Sequence, residues 1–298
     1  MPSENISGKR VISSRLALLC ITLIWGTSFV ILKNTLDSLT TFYLMAYRFT
    51  GAGLVMLTIG LRNIKLVDRE YLVGGVFMGL VLFCAYALQT FGLVYTTPGV
   101  NAFLTAVYCV IVPFLYWFVS KKKPDKYNIT AALVCFCGMG FVSVRGDLSI
   151  GLGEILTALC GFFFAIHIIL TVRYAEGRSA VLLNAVQLLT VAALSWIAAL
   201  IFEERPAALQ PDIILSMLYL ALMCTAVCFF LQTYGQKYTP PSSVAVIMTL
   251  ESVFGATFSV IFYNERLDGR LLIGFSLIFV AILISETKMR FVPELKKL

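Results

Sequence analysis

Residues 87–102 read ALQTFGLVYTTPGVNA and residues 230–245 read FLQTYGQKYTPPSSVA. Aligned without a gap, eight of the sixteen positions are identical, among them Leu88/Leu231, Gln89/Gln232, Thr90/Thr233, Gly92/Gly235, Tyr95/Tyr238, Thr96/Thr239 and Pro98/Pro241. The chain is two copies of one unit. How the copies lie relative to each other depends on how many times each crosses a membrane, because an odd number turns the second copy upside down.

The crossings are legible in composition. Apolar residues make up 59%, charged residues only 13%, and the mean hydropathy is +0.90, against roughly 25% charged in a soluble domain. Ten apolar runs are separated by short polar breaks: 14–34, 40–60, 71–93, 98–119, 128–146, 151–172, 181–202, 212–233, 241–262 and 270–286. Each approaches or exceeds the length that a helix needs to cross about 30 Å of hydrocarbon. The expected fold is an all-α integral membrane protein of ten transmembrane helices, arranged as two five-helix inverted repeats. No soluble domain is left over. The first run has full length and no small-residue cleavage pattern after it, so no removed signal peptide is expected.

The net charge of +7 does not call for nucleic acid. With the N-terminus inside, the cytoplasmic segments hold Lys9, Arg10, Arg15, Arg62, Lys65, Arg69, Lys121, Lys122, Lys123, Lys126, Arg173, Arg178, Lys237, Lys288, Arg290, Lys296 and Lys297, against Lys33, Arg145, Arg205, Arg266 and Arg270 outside. Seventeen against five is a positive-inside signal for a multi-pass protein of the inner or plasma membrane with both termini cytoplasmic. All eight cysteines lie inside spans as small apolar residues, and Cys135 and Cys137 point to different sides of a helix, so no metal site is expected.

The expected organisation is a cytoplasmic segment 1–13, a first repeat 14–146 (spans 1–5), a second repeat 151–286 (spans 6–10) and a basic cytoplasmic tail 287–298. An offset of 143 carries spans 3–5 onto spans 8–10, and an offset of 139 sets Trp25-Gly26 on Phe164-Ala165 and Arg48 on Gln187. Pro98 and Pro241 open spans 4 and 9, where a missing N–H costs little. Pro113 lies deep in span 4 and predicts a kink there. The Gly75/Gly79 spacing predicts a close helix contact.

The polar residues within the spans carry the candidate chemistry. Glu251 lies ten residues into span 9, hence about 15 Å deep, where a carboxylate must face the protein interior or water. It is a candidate for proton coupling, for countering a cationic ligand, or for a plain interhelical hydrogen bond. The offset of 143 sets Tyr108 opposite it, and Trp25, Phe164 and His167 reach similar depth. Together they sketch a cavity for a small amphipathic or cationic molecule; packing aromatics and a hydrogen-bonded core histidine are the competing interpretation. Arg48 sits inside span 2, where it either snorkels, bonds backbone carbonyls or binds a ligand. Gln89-Thr90 and Gln232-Thr233 end spans 3 and 8, and inversion would set them at opposite mouths as matching gates or as interhelical bonds. Asn101 and Asn184 lie near span ends and add little. There is no Walker A pattern, nucleophile elbow or histidine cluster, so any transport is driven by a gradient, with no cofactor and no enzyme chemistry.

Trp25-Gly26, Tyr47-Arg48-Phe49, the span 4 block YTTPGVNAFLTAVYCVIVPFL and the span 9 block LESVFGATFSVIFYNERL resemble the drug/metabolite transporter superfamily, specifically its EamA-type exporters, over nearly the whole chain. The resemblance implies a secondary active transporter that exports small metabolites such as amino acids or their analogues, through a cavity lined by spans 1, 3, 4, 6, 8 and 9. Glu251 matches a glutamate frequent in the family's span 9 motif, and Glu265 the acid that closes it. Ser252 stands where a proline is common, and Lys122 where the first-half motif often has an acid. The expected partners are a small-molecule substrate, the lipid bilayer and protons, in a monomer or a homodimer. An exporter of cationic or quaternary ammonium compounds is the alternative transporter; a non-transporting membrane scaffold and a lipid-modifying membrane enzyme are the alternatives from other classes.

Overall fold

The computed structural model describes residues 8–121, 123–143, 151–206, 208–239 and 241–287. Among them there is no strand. The apolar runs become α1 (Gly8–Thr35), α2 (Thr41–Gly60), α3 (Arg69–Tyr95), α4 in two pieces (Pro98–Thr105 and Tyr108–Ser120), α5 (Lys126–Ser143), α6 (Leu152–Ala175), α7 (Ala180–Phe202), α8 in two pieces (Pro211–Ala221 and Cys228–Tyr238) joined by the π-helical turn Leu222–Val227, α9 (Pro241–Phe262) and α10 (Gly269–Thr287). Seven of these spans, α1–α4 and α6–α8, are long and apolar enough to cross a bilayer by length and composition alone, and α5, α9 and α10 add three more apolar helices. The polar segment 1–7, Lys122, Arg145 and the tail 288–298 with Lys288, Arg290, Lys296 and Lys297 lie outside the described residues.

Helix contacts show the two-copy frame. Exchanging each span of the first half with its counterpart five spans on turns α3·α6 into α8·α1, α1·α9 into α6·α4, and α3·α7 into α8·α2; all six contacts are present. The pairs α2·α7, α4·α9 and α5·α10 map onto themselves and also touch. The halves are therefore related by a pseudo-twofold exchange, and with five spans in each they are inverted. Side-chain distribution follows the solvent. Phe118, Leu133, Phe136, Leu200 and Phe202 point outward, whereas Arg48, Asn101, Asn184, Gln187 and His167 are buried. With lipid outside there is no drive to hide apolar surface, and polar groups must find partners within the bundle.

Small residues set the closest approaches. A methyl group on Gly75 would lie 2.6 Å from Val186 Cβ, and one on Gly79 would lie 2.7 Å from Gln187 O, so the expected tight contact at this pair joins α3 to α7. Carboxylates from one half cap helices of the other. Glu203, after α7, accepts from Phe42 N at 2.9 Å, Tyr43 N at 3.0 Å and Thr40 Oγ1 at 2.7 Å, which satisfies the unpaired donors that open α2. Glu265, after α9, accepts from Gly99 N at 2.9 Å and from the Thr97 and Ser259 hydroxyls, and so caps the first piece of α4. Lys33 Nζ donates to Leu93 O (2.7 Å), Val94 O (3.0 Å) and Thr96 O (2.8 Å) around the C-terminal end of α3, where a cation suits the helix dipole.

Two helices break, and neither break has an image in the other half. The kink expected at Pro113 appears instead at Ala106-Val107, where Val107 N→Leu104 O (3.3 Å), Cys109 N→Ala106 O (3.1 Å) and Val110 N→Val107 O (3.0 Å) tighten to three-residue spacing. Pro113 leaves the carbonyl of Cys109 without its helical donor, and the tightened turn lies ahead of that carbonyl. In α8 the turn widens instead, with Thr225 Oγ1 donating to Leu220 O five residues back at 2.7 Å.

Gly79→Val is expected to cost about 1–3 kcal/mol by overpacking α3 against α7, while Gly140→Ala, whose methyl group would meet nothing within 4 Å, should be neutral. Thermal unfolding of the two purified variants beside the unmodified protein checks both.

Candidate functional site

Both broken helices face the same interior space. A cavity at the centre of the bundle is lined from α1 by Trp25, Ser28 and Phe29, from α3 by Tyr86 and Gln89, from α4 by Thr105 and Tyr108, from α6 by Phe164, His167 and Ile168, from α8 by Phe229 and Gln232, and from α9 by Met248 and Glu251. Seven of the eight residues singled out in the sequence, Trp25, Gln89, Tyr108, Phe164, His167, Gln232 and Glu251, meet there. Its free space is about 30 Å³, room for roughly two waters and not for a metabolite. The conformation is a contracted one.

The walls are aromatic and interlocked. Trp25 meets Phe229 edge-on at 5.8 Å, Tyr86 meets Phe164 at 5.4 Å, and Tyr108 meets Phe164 at 6.4 Å. Glu251 is buried at 5% exposure and, among the described residues, accepts no hydrogen bond and forms no ion pair. The Tyr108 hydroxyl and Gln232 Oε1 are likewise buried without a hydrogen-bond partner. Unpartnered polar atoms at this depth are costly, and several of them around one space mark it as a place for a ligand or water.

Gln89 and Gln232 do not sit at opposite mouths. Helix α3 runs to Tyr95 and α8 to Tyr238, beyond the ends of their apolar runs, and this extension carries both glutamines inward to the shared cavity. Gln89 Nε2 donates to Thr105 Oγ1 at 3.2 Å, beside the break in α4, and Gln232 Nε2 faces Met248 Sδ at 3.9 Å. They are symmetry mates that line one cavity.

Arg48 lies outside the lining and cannot snorkel, being 1% exposed. Its Nε donates to Thr225 Oγ1 at 2.6 Å and its guanidinium reaches toward Cys224 O at 3.5 Å, a carbonyl that Trp25 Nε1 binds more closely at 2.7 Å. Its Cζ lies 5.0 Å from the Tyr86 ring centroid, a cation–π contact with a ring that lines the cavity. The π-helical turn of α8 exists because these partners take up the groups that a regular helix would pair internally. Arg48's counterpart Gln187 also bonds inward, to His167 Nε2 at 2.9 Å.

Two residues carry more than their sequence positions suggest. Asn101 donates to Gln89 O (3.1 Å) and Thr157 Oγ1 (2.8 Å), and Asn184 to Phe229 O (3.1 Å) and Thr233 Oγ1 (3.1 Å). Each clamps one of the helices that carry the repeated Gln-Thr pair. The signal available in sequence was only that an asparagine lay inside an apolar run.

Fold and site together define a multi-pass helical membrane protein with a central polar-aromatic cavity. The EamA-like transporter family model matches residues 13–144 and again 151–287, and the chain belongs to that family. An uncharacterised transporter of Archaeoglobus fulgidus is 32% identical over 93% of this chain and 87% of its own length. The uncharacterised transporter YoaV of Bacillus subtilis is 22% identical over 88% of this chain and 93% of its own. A solved crystal structure superposes with a TM-score of 0.72 over 94% of this chain and 98% of its own at 18% identity, a likeness of fold.

Thr225→Val would leave the buried Arg48 Nε without its acceptor and is expected to lower stability by about 1–3 kcal/mol; Thr225→Ser, which keeps the oxygen, should restore most of it. Melting temperatures of the two variants decide.

Proposed function

We propose that this EamA-family chain is a secondary active transporter that exports small amphipathic metabolites, amino acids or their analogues being the class the family resemblance suggests, by alternating access and with proton coupling through Glu251. The observation that carries this is Glu251 itself: a buried carboxylate in the contracted cavity, with no protein partner among the described residues. A carboxylate held in place for structure would be paired, because leaving one unpaired in a low-dielectric interior is expensive. Proton and substrate, taken in turn by one group, would give coupling without further machinery. The inverted halves supply two equivalent arrangements related by the pseudo-twofold axis, and a contracted centre is what such a bundle passes through between them.

Seventeen basic residues on one set of loops against five on the other support an inner or plasma membrane protein with cytoplasmic termini. Glu251 also supports a second reading, export of cationic compounds, because no lysine or arginine lines the cavity while aromatic rings and one acid do. A scaffold would have no use for an unpartnered central carboxylate, and an enzyme would need its polar groups gathered where a head group or water arrives.

In proteoliposomes, Glu251→Gln is expected to keep the melting profile of the unmodified protein while losing about tenfold or more of proton-driven flux and its dependence on pH. Unchanged flux with the same pH dependence in that variant would overturn the coupling role.

A further inference from the structure

We propose that the central cavity selects ligands by their N–H donors, taking small molecules that carry a primary or secondary amine on an apolar body and rejecting quaternary ammonium ions. The inference rests on the transporter reading for the statement that the ligand is cargo; the selectivity itself follows from which polar atoms in the cavity are spent and which are free.

The side chains around His167 form a directed chain. Asn184 Nδ2 donates to a backbone carbonyl, Phe229 O, at 3.1 Å, which fixes the orientation of that amide because a carbonyl only accepts. Asn184 Oδ1 must then accept, and it does so from Gln187 Nε2. Gln187 is thereby turned with its Oε1 toward His167 Nε2 at 2.9 Å. Nε2 therefore carries the proton, and Nδ1 of an imidazole that lines the cavity is left as a lone pair with no partner among the described residues.

Gln232 is oriented by a different neighbour to the same effect. Thioether sulfur accepts and never donates, so the Gln232 amide turns its Nε2 toward Met248 Sδ, 3.9 Å away, and its Oε1 stays buried and unpartnered. Glu251 adds two more acceptor oxygens. Of the donors, Trp25 Nε1 is given to Cys224 O at 2.7 Å and one N–H of Gln89 Nε2 to Thr105 Oγ1 at 3.2 Å, while the unpartnered Tyr108 hydroxyl can donate as well as accept. The nearest guanidinium, that of Arg48, is engaged with Thr225 and stands beyond the Tyr86 ring.

Free acceptors fit a protonated amine. Its N–H groups satisfy the oxygens and the imidazole lone pair while the aromatic walls take its apolar body. A quaternary ammonium ion has the charge but no N–H, so it would desolvate those acceptors without pairing them, at a loss on the order of tenfold or more in affinity.

The test uses full-length protein in nanodiscs and three matched probes: 2-phenylethylamine, its N,N,N-trimethyl analogue and 2-phenylethanol. Thermal shift and titration calorimetry should show the primary amine binding about tenfold or more tighter than each of the others. Gln232→Leu should narrow the gap between the amine and its trimethyl analogue by weakening the amine alone; if that variant does not fold, the three-probe series on the unmodified protein is decisive by itself. Equal or tighter binding of the trimethyl compound, or no binding of any probe, would overturn the proposal. Flux of the same probes in proteoliposomes separates the two claims. Amine binding without flux sinks the transporter reading and leaves the selectivity, whereas flux of the trimethyl compound but not of the amine sinks the selectivity and leaves the transporter.

Discussion

Inside a bilayer no water reaches a broken helix, so every backbone group that a break releases must be taken up by another part of the protein. This constraint organises the centre of the molecule. The π-helical turn of α8 sits where Trp25 from α1 and Arg48 from α2 approach the Cys224 carbonyl and the Thr225 hydroxyl. The break in α4 lies where Thr105 meets Gln89 of α3 and where Gly161 of α6 lets the helices close in, a methyl group there falling 3.2 Å from Thr105 O. Both breaks lie against other spans, of which α1, α3 and α6 also build the cavity.

The frame is symmetric and the site is not. Exchange of the halves reproduces the helix contacts, but Tyr108 faces Glu251, Arg48 corresponds to Gln187, and the carboxylate of Glu265 that caps α4 has Lys122 as its counterpart in sequence. Single-copy polar residues differentiate the two sides of the cavity, with acceptors gathered around Glu251 and His167 and the buried guanidinium of Arg48 held away behind Tyr86.

Much of this was legible in advance, for reasons that differ by residue. Glu251, Tyr108, Trp25, Phe164 and His167 were placed by counting residues from the ends of apolar runs, and depth follows directly from helical rise when a helix is regular. Gln89 and Gln232 were misplaced because hydropathy marks where side chains turn polar, whereas α3 and α8 continue as helix through that change to Tyr95 and Tyr238. The break in α4 appeared at Ala106-Val107, nearly two turns before Pro113, at a place that no proline or glycine marks in the sequence. Asn101 and Asn184 gave no sign of their weight, since the carbonyls and hydroxyls they clamp belong to other helices.

By itself the sequence determined the class of molecule: apolar runs of membrane-spanning length, their number, the duplication, and hence the inversion of the halves. Those properties are local or periodic, and helix formation in lipid is nearly obligatory once a run is long and apolar enough. Only the tertiary structure decided which polar atoms are spent and which are free, that Arg48 is shut away from the cavity, and that Gln89 and Gln232 share it. Those facts depend on which helices meet at which height, and hydrogen bonds between residues more than a hundred positions apart leave no trace in the spacing of either one.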